Sequence, residues 1–299
     1  MAPRVFGDDD VRRLLDAETA VAAVRRALLA HHDGTLHAPP RVFAELGDGP
    51  LAFTAGELAD AGLFGFRAYD MFAGAEQLVA VWERTEGTLR AVVHGAELGP
   101  RRTGAIGAVA LDAAARPGPL RLGLVGAGIQ AWAQLWACAA VRELADITVH
   151  ARRQDRAAAF AERARAELDL PVRAVPVAAD AVRDRDAVIL ATSSATPVIE
   201  ADWIGPGTHV TALGPKTRDR HELPDGLAER ASVVLTDSRA QSAAFEEPFL
   251  DPASMTELGA VLAGAAPGRS GPADITLFSS VGLAGTEVAV AAALYESEG

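Results

Sequence analysis

The chain has 299 residues, enough for two domains of ordinary size, each with its own hydrophobic core. Its formal net charge of −12 gives no electrostatic basis for binding nucleic acid or an acidic membrane surface, so we expect small-molecule partners. A single cysteine, Cys138, excludes a disulfide framework, and the seven histidines lack metal-ligand spacing, so no metal site is predicted.

The N-terminal part of the sequence combines helical and strand patterns. Asp16 is placed to cap a helix whose apolar residues recur on one face. Residues 51–93 contain four short strand-like segments separated by glycine-containing turns, which predicts an antiparallel meander. The small apolar segment Thr103–Ala115 predicts a helix that ends at the Arg-Pro-Gly-Pro sequence of residues 116–119.

From Leu120 onward, strands and helices alternate, which predicts an α/β fold with a parallel, doubly wound sheet. After Leu250 a Gly/Pro-rich stretch leads to a last strand, DITLF, and an Ala-rich helix. This tail is too short for a domain, so we expect it to return to the N-terminal half. The predicted domains are residues 1–116 with 271–299, and an inserted domain at 117–270.

The inserted domain begins with an apolar strand, a glycine turn and the start of a helix, LRLGLVGAGIQA. Gly126 permits the tight turn, and Gly128, which lacks a Cβ, lets the backbone approach a phosphate group. Ile129 and Gln130 open the helix, whose N-terminal N–H groups and dipole favour an anion. The segment predicts a dinucleotide site, although a glycine turn of this kind also occurs for packing alone.

Two arginines, Arg152 and Arg153, follow the second strand of the alternating region. An acidic residue there would bind the adenosine ribose of NAD(H), whereas arginine suits the 2′-phosphate of NADP(H). We therefore expect NADP(H) in preference to NAD(H); the alternative is that these arginines only begin a solvated helix. Thr192 and Ser193 follow a later strand, at the edge where such sheets bind their ligands.

Four motifs extend over most of the chain. They are RRTGA at 101–105, GAGIQA at 126–131, ALGPKTRDRHEL at 212–223, and ELG followed by PGR and DITLFSSVGLA between 257 and 284. The ordered set resembles the ornithine cyclodeaminase/mu-crystallin family. The resemblance implies a Rossmann-type doubly wound parallel sheet inserted in a second α/β domain for substrate binding and dimerisation, and therefore a homodimer. It also implies hydride exchange between a nicotinamide and the α-carbon of an amino or imino acid.

The resemblance assigns roles to individual residues. Arg41 and Arg102 match family arginines that hold the substrate carboxylate, a task that suits the planar guanidinium fork; the alternative is a pair of surface arginines. The further cofactor contacts that it implies are Thr103, Leu213, Ser280, Val281 and Gly282.

Two positions depart from the family's cyclodeaminases. Arg67 stands where they carry a lysine, and Lys216, the one lysine of this chain, stands where they carry an aspartate. A lysine ammonium cannot accept a proton and an arginine is a poor proton shuttle, so ornithine cyclodeamination is disfavoured. Near the family's acidic position in the last helix stands Glu287.

The sequence therefore favours an NAD(P)H-dependent reductase of a ketimine or imino acid that carries a carboxylate. Arg67, Arg102 and Lys216 are the expected catalytic residues, and with Arg41 they are the expected substrate-binding residues. Lys216 either donates a proton to the imine nitrogen or binds an anion. The alternatives are an amino-acid dehydrogenase, an ornithine cyclodeaminase-type lyase and, from another class, a non-catalytic NADPH-loaded binding protein. We expect a cytoplasmic protein without signal peptide or membrane span.

Overall fold

Two large β-sheets organise the chain in the computed structural model, which describes residues 2–297. The strands are β1 (Arg4–Phe6), β2 (Leu36–His37), β3 (Val42–Leu46), β4 (Gly49–Leu58), β5 (Leu63–Asp70), β6 (Gln77–Glu83), β7 (Leu89–Gly95), β8 (Leu120–Val125), β9 (Leu144–His150), β10 (Val172–Ala174), β11 (Ala187–Leu190), β12 (His209–Ala212), β13 (Lys216–Thr217), β14 (Arg220–His221), β15 (Val233–Thr236), β16 (Thr256–Glu257) and β17 (Thr276–Ser279).

The helices pack against both sheets. They are α1 (Asp8–Leu14), α2 (Ala17–His32), α3 (Leu98–Ala114), α4 (Ile129–Val141), α5 (Gln154–Leu168), α6 (Ala178–Val182), α7 (Leu227–Arg230), α8 (Arg239–Ala243), α9 (Leu258–Leu262) and α10 (Thr286–Glu296), with 3-10 turns at Ala201–Trp203 and Pro252–Ser254. Within the described residues, no helix combines the length and the apolar character needed to cross a membrane. The predicted cap of α2 is confirmed, because the Asp16 carboxylate accepts a hydrogen bond from the Thr19 N–H at 2.7 Å.

The first sheet has seven strands in the order β1-β7-β6-β5-β4-β2, with β3 paired to β4. Strands β4 to β7 form the predicted antiparallel meander, while β1 adds a parallel edge strand that the sequence did not reveal. Helix α10 packs across β4 to β7. A Cβ at Gly65 would overlap the Ala80 carbonyl oxygen and reach the Val288 side chain, so glycine permits this close approach of helix and sheet.

The second sheet is fully parallel, in the order β10-β9-β8-β11-β12-β17-β15-β16. Its first five strands have the 3-2-1-4-5 order of a Rossmann half, in which the order of strand addition reverses between β8 and β11. The predicted α/β fold class with a Rossmann-type doubly wound sheet is confirmed. Ligands bind such sheets at the carboxyl ends of the strands beside this reversal.

One strand lies in a different sheet from the one we expected. Thr276–Ser279 was grouped with the N-terminal half, whereas it pairs with β12 and β15 inside the parallel sheet. Its four residues are buried and apolar or hydroxyl-bearing, as a central parallel strand requires. Only the following helix α10 returns to the first sheet. The other predicted domain limits remain predictions, and Met1 and residues 298–299 lie outside the described residues.

Helix α3 connects the two sheets and begins at Leu98, five residues before the predicted start. It packs closely on α4, because a Cβ at Gly104 would overlap the Ala133 carbonyl oxygen. The Gln134 side chain of α4 donates a hydrogen bond to the Thr103 carbonyl oxygen at 2.9 Å. These contacts hold Arg102, in the second turn of α3, between the two sheets.

Candidate active site

A cleft of about 820 Å³ opens at the carboxyl ends of β8, β9 and β11. It lies at the reversal of strand order where dinucleotides bind in Rossmann-type sheets. Six of the predicted cofactor residues line it: Gly126, Gly128, Arg152, Arg153, Thr192 and Ser193.

The two motif glycines are required for different reasons. Gly126 has a φ of +114°, and a Cβ on it would overlap the Ala191 carbonyl oxygen. Gly128 is the N-cap of α4, and a Cβ there would meet no protein atom within 4 Å. The space in front of this 13-residue helix is therefore open to a ligand, and the N-terminal N–H groups suit a pyrophosphate. The residues present fit a dinucleotide cofactor.

The two arginines after β9 differ in their surroundings. The Arg153 side chain pairs with Asp155, with Nε 3.2 Å from Oδ1. Arg152 is exposed at the edge of the cleft, and no ion pair or hydrogen bond of its side chain occurs within residues 2–297. Arg152 is thus the more available of the two for an anionic ligand.

The remaining predicted cofactor residues lie outside the lining of this cleft. Ile129 begins α4 with 52% of its surface exposed, and the neighbouring Gln130 has a buried Oε1 without a partner within the described residues. The Thr103 hydroxyl donates to the Gly99 carbonyl oxygen at 3.0 Å, and the Leu213 N–H donates to Glu222 at 2.9 Å.

The predicted loop residues Ser280, Val281 and Gly282 are held by a carboxylate that the sequence analysis missed. Asp237 is 1% exposed and accepts hydrogen bonds from the N–H groups of Val281 and Gly282, each at 2.8 Å, and from the Ser280 hydroxyl at 3.2 Å. These N–H groups are therefore engaged within the protein. Asp237 fixes the loop that joins the parallel sheet to α10.

Glu222 is a second buried carboxylate at the ends of the strands. It is 1% exposed and accepts hydrogen bonds from the Thr192 N–H and hydroxyl at 2.9 and 2.7 Å, and from the Leu213 N–H. It thus ties the end of β11 to the end of β12. In the sequence, the position of Asp237 directly after a strand of a parallel sheet could have indicated a role at the site. Glu222 lies in a loop, where no such pattern exists.

Three arginines converge at the junction between the sheets, and we call Arg41, Arg67 and Arg102 the arginine cluster. Glu287, in the first turn of α10, pairs with both Arg67 and Arg102. Burial alone would raise the pKa of Glu287, but the charges of Arg102 and Arg67 hold it below its ordinary value. The pKa of Arg67 is lowered by burial and by the nearby charge of Arg102.

Arg41 joins the cluster from the loop before β3. A Cβ placed on Gly282 would lie 2.9 Å from Nη1 of Arg102 and 3.4 Å from Nη2 of Arg41, so both guanidinium groups reach the same point. Arg41 donates from Nη2 to the Val281 carbonyl oxygen at 3.2 Å. The substrate arginines predicted from the sequence are therefore brought together beside the Val281–Gly282 loop.

The cluster has more hydrogen-bonding capacity than the protein uses. The Nε atoms of all three arginines and Oε2 of Glu287 are buried without a partner within the described residues. Buried polar atoms are rarely left unpaired, because each one costs about 1–3 kcal/mol. Guanidinium groups with free donors are suited to a carboxylate ligand.

Lys216 lies beside the same loop. It lines a small apolar cavity together with Ser279 and Val281, and its Nζ donates to the Gly214 carbonyl oxygen at 2.6 Å. Burial lowers the pKa of Lys216 to about 8, against the opposing charges of Glu222 and Asp237. Within residues 2–297, no hydrogen bond joins Lys216 to the arginine cluster.

This geometry can be set beside known proteins. The family model described as the ornithine cyclodeaminase/mu-crystallin family matches residues 3–298. The chain belongs to this family. The resemblance inferred from the motifs is confirmed, and so is the Rossmann-type fold, by the agreement of whole-chain structures.

Three similar proteins indicate the chemistry found in the family. The structure of Thermococcus litoralis Δ1-pyrroline-2-carboxylate reductase with NADH and L-proline has a TM-score of 0.91, 26% identity and coverage of 98% of this chain and 96% of that one. An archaeal alanine dehydrogenase dimer with bound NAD has a TM-score of 0.89, 26% identity and coverage of 99% and 96%. Mouse ketimine reductase mu-crystallin is 30% identical over 223 residues, 73% of this chain and 68% of that protein. The predicted enzyme class is that of these relatives.

Proposed function

We propose that the protein reduces a ketimine or imino acid that carries a carboxylate. The observation that carries the proposal is the buried arginine cluster with unpaired donors, next to the loop that links the dinucleotide sheet to α10. Arg41 and Arg102 bind the substrate carboxylate, and this fixes the orientation of the adjacent C=N bond. Arg67, buried between Glu287 and Tyr69, adds positive charge to the same site.

A reduced nicotinamide cofactor, when bound, supplies the hydride. The open space at Gly128 and the N-terminus of α4 support a pyrophosphate position, and Thr192 and Ser193 line the same cleft. The unpaired Arg152 supports a preference for NADP(H) through the 2′-phosphate. The similar structures named above hold NADH and NAD, so the preference is a property to be tested for this chain.

Lys216 provides a cation at the loop beside the arginine cluster. With its pKa lowered to about 8, it is mostly protonated at neutral pH, and it either donates a proton to the imine nitrogen or binds an anionic group of the substrate. Oxidation of an amino acid would use the same residues in the reverse direction. The grouping of several cationic side chains in one site argues against a binding protein for an apolar ligand.

We further propose that the protein is a homodimer formed through the first sheet. The face of this sheet turned away from α10 carries aromatic residues in contact, with the ring centroids of Phe64 and Trp82 5.7 Å apart. Val42 and Leu78, on the same face of the sheet, are 63% and 38% exposed. A contiguous apolar face of this kind marks an interaction surface, and sedimentation analysis of the purified chain tests it.

The catalytic proposal is tested by following NADPH and NADH oxidation with linear and cyclic ketimines bearing a carboxylate. We expect turnover that is lost in Arg102→Gln and retained in Arg121→Gln, a control arginine whose partner Asp186 lies outside the site. Replacement of Arg152 by Gln should lower kcat/KM with NADPH about tenfold, because one exposed contact to the phosphate is lost. The same replacement should leave kcat/KM with NADH unchanged. Failure of the wild-type protein to oxidise either cofactor with any ketimine would contradict the proposal.

A further inference from the structure

Tyr69 shares the buried face of β5 with Arg67. Residues two apart on a strand project from the same side of the sheet, and this side of β5 faces α10 and Glu287. The aromatic residues Phe64 and Phe66 alternate onto the opposite face, where they stack with Trp82. Tyr69 is therefore on the site side of the sheet.

The Tyr69 ring lies against two members of the arginine cluster. The guanidinium carbon of Arg67 is 4.2 Å from the ring centroid, and that of Arg41 is 5.8 Å from it. The residue is half-buried, and its hydroxyl has no hydrogen-bond partner within the described residues. The Tyr69 hydroxyl is therefore available to a ligand bound by the arginine cluster.

The cationic side chains near the site are engaged in other contacts. Arginine does not give up a proton in proteins, and Arg67 is also held by Glu287 and by Gln77, whose Oε1 accepts from Nη2 at 2.6 Å. Lys216 already donates to the Gly214 carbonyl oxygen at 2.6 Å. Tyr69 carries a hydroxyl without a partner in the described residues, and its ring lies against Arg41, which we propose binds the carboxylate.

We propose that the Tyr69 hydroxyl donates the proton to the imine nitrogen. In this step the imine carbon gains the hydride, the C=N π electrons move to nitrogen, and nitrogen forms a bond to the Tyr69 proton. The O–H electron pair stays on the phenolate, whose ring lies against Arg67 and Arg41, until solvent protonates the oxygen. The inference rests on the proposed reductase function and assigns Lys216 to anion binding.

The test compares Tyr69→Phe with Tyr295→Phe, which alters the chain's only other tyrosine, one that lies on α10 against Arg4. Each protein is assayed with a carboxylate-bearing ketimine and with its N-methyl iminium analogue, which carries a permanent charge and needs no proton. We expect Tyr69→Phe to lower kcat about a hundredfold for the ketimine, the usual size of general-acid catalysis, and less than about threefold for the iminium. Tyr295→Phe should change neither.

A second readout does not depend on turnover. With ring-labelled tyrosine the protein gives two tyrosine NMR signals, and binding of the product amino acid should shift the one that disappears in Tyr69→Phe. Equal losses of kcat for ketimine and iminium would overturn the inference. So would full activity of Tyr69→Phe with loss only in Tyr69→Leu, since the ring would then act solely as a surface for the arginines. A wild-type protein inactive with both substrates would overturn the reductase function itself.

Discussion

Several carboxylates of the protein each pair with two arginines, and two of these clusters, those of Asp186 and Glu287, are built differently. Asp186 pairs with Arg116 and Arg121, whose side chains are 37% and 49% exposed. Its oxygens accept from the Arg121 N–H at 2.8 Å and from both guanidinium groups. These interactions hold the pKa of Asp186 far below its ordinary value, although burial opposes them.

Glu287 instead pairs with Arg67 and Arg102, whose side chains are 10% and 3% exposed. Here the arginine Nε atoms and one oxygen of the carboxylate have no partner within residues 2–297, whereas no atom of Asp186, Arg116 or Arg121 is a buried polar atom without one. Buried charges are costly unless they are fully paired, so the unpaired atoms of this cluster support its proposed role in substrate binding. The comparison separates the Asp186 cluster, which is satisfied within the protein, from the cluster that we propose binds the substrate.

The largest expected effect follows from removing the charge of Glu287. Glu287→Gln leaves Arg67 and Arg102 buried without a counter-charge, which should lower the free energy of unfolding by about 3–5 kcal/mol. Urea unfolding measures the loss. Addition of a carboxylate ligand should restore more stability to the variant than to the wild type, because the anion replaces the missing charge. A variant as stable as the wild type would show that the buried arginines do not depend on the negative charge of Glu287.

Substitution of Arg102 tests the same cluster through catalysis. Arg102→Lys keeps the positive charge but loses the planar fork, so kcat/KM should fall roughly a hundredfold. Steady-state kinetics should place most of the loss in KM if the role is carboxylate binding. The matched control is Arg121→Lys in the Asp186 cluster, which should leave both constants unchanged. Equal effects of the two substitutions would remove the distinction between the clusters.

The sequence predicted the fold and the members of the site better than it predicted their arrangement. Periodicity and glycine turns identified the meander and the parallel sheet, because each depends on residues close together in the chain. The placement of β17 beside β12 depends on long-range packing, and a tail of one strand and one helix has the same pattern in either sheet. Sequence order therefore assigned it to the wrong sheet.

The same reason explains what was missed in the site. Arg41, Arg67 and Arg102 were recognised by motif. Glu287, the shared partner of Arg67 and Arg102, lies 185 residues beyond Arg102, and no local pattern reports that contact. Asp237 and Tyr69 had no motif at all. Their roles depend on which loop and which guanidinium groups the folded chain brings to them, and only the structure supplies those contacts.

A smaller effect is expected from a substitution in the Asp186 cluster. Asp186→Asn keeps the size of the side chain but weakens its bonds to Arg116 and Arg121, so the free energy of unfolding should fall by about 1–3 kcal/mol. The same substitution should leave kcat/KM and ligand binding unchanged. Thermal unfolding measures the loss of stability, and steady-state kinetics on the same variant measure its activity. A loss of activity at a temperature where the variant is folded would connect this cluster to the site.

The smallest effect concerns Lys216 and is a change with pH. Since burial lowers its pKa to about 8, the ammonium form is lost as the pH rises through that value, and kcat/KM for reduction should fall roughly tenfold between pH 7 and pH 9. Stability should change in the opposite direction. In the unfolded chain lysine titrates near its ordinary value, so between about pH 8 and that value the unfolded state binds more protons and the folded state gains stability as the pH rises. Lys216→Gln should remove both trends, and a variant that keeps the fall in kcat/KM would assign it to another group.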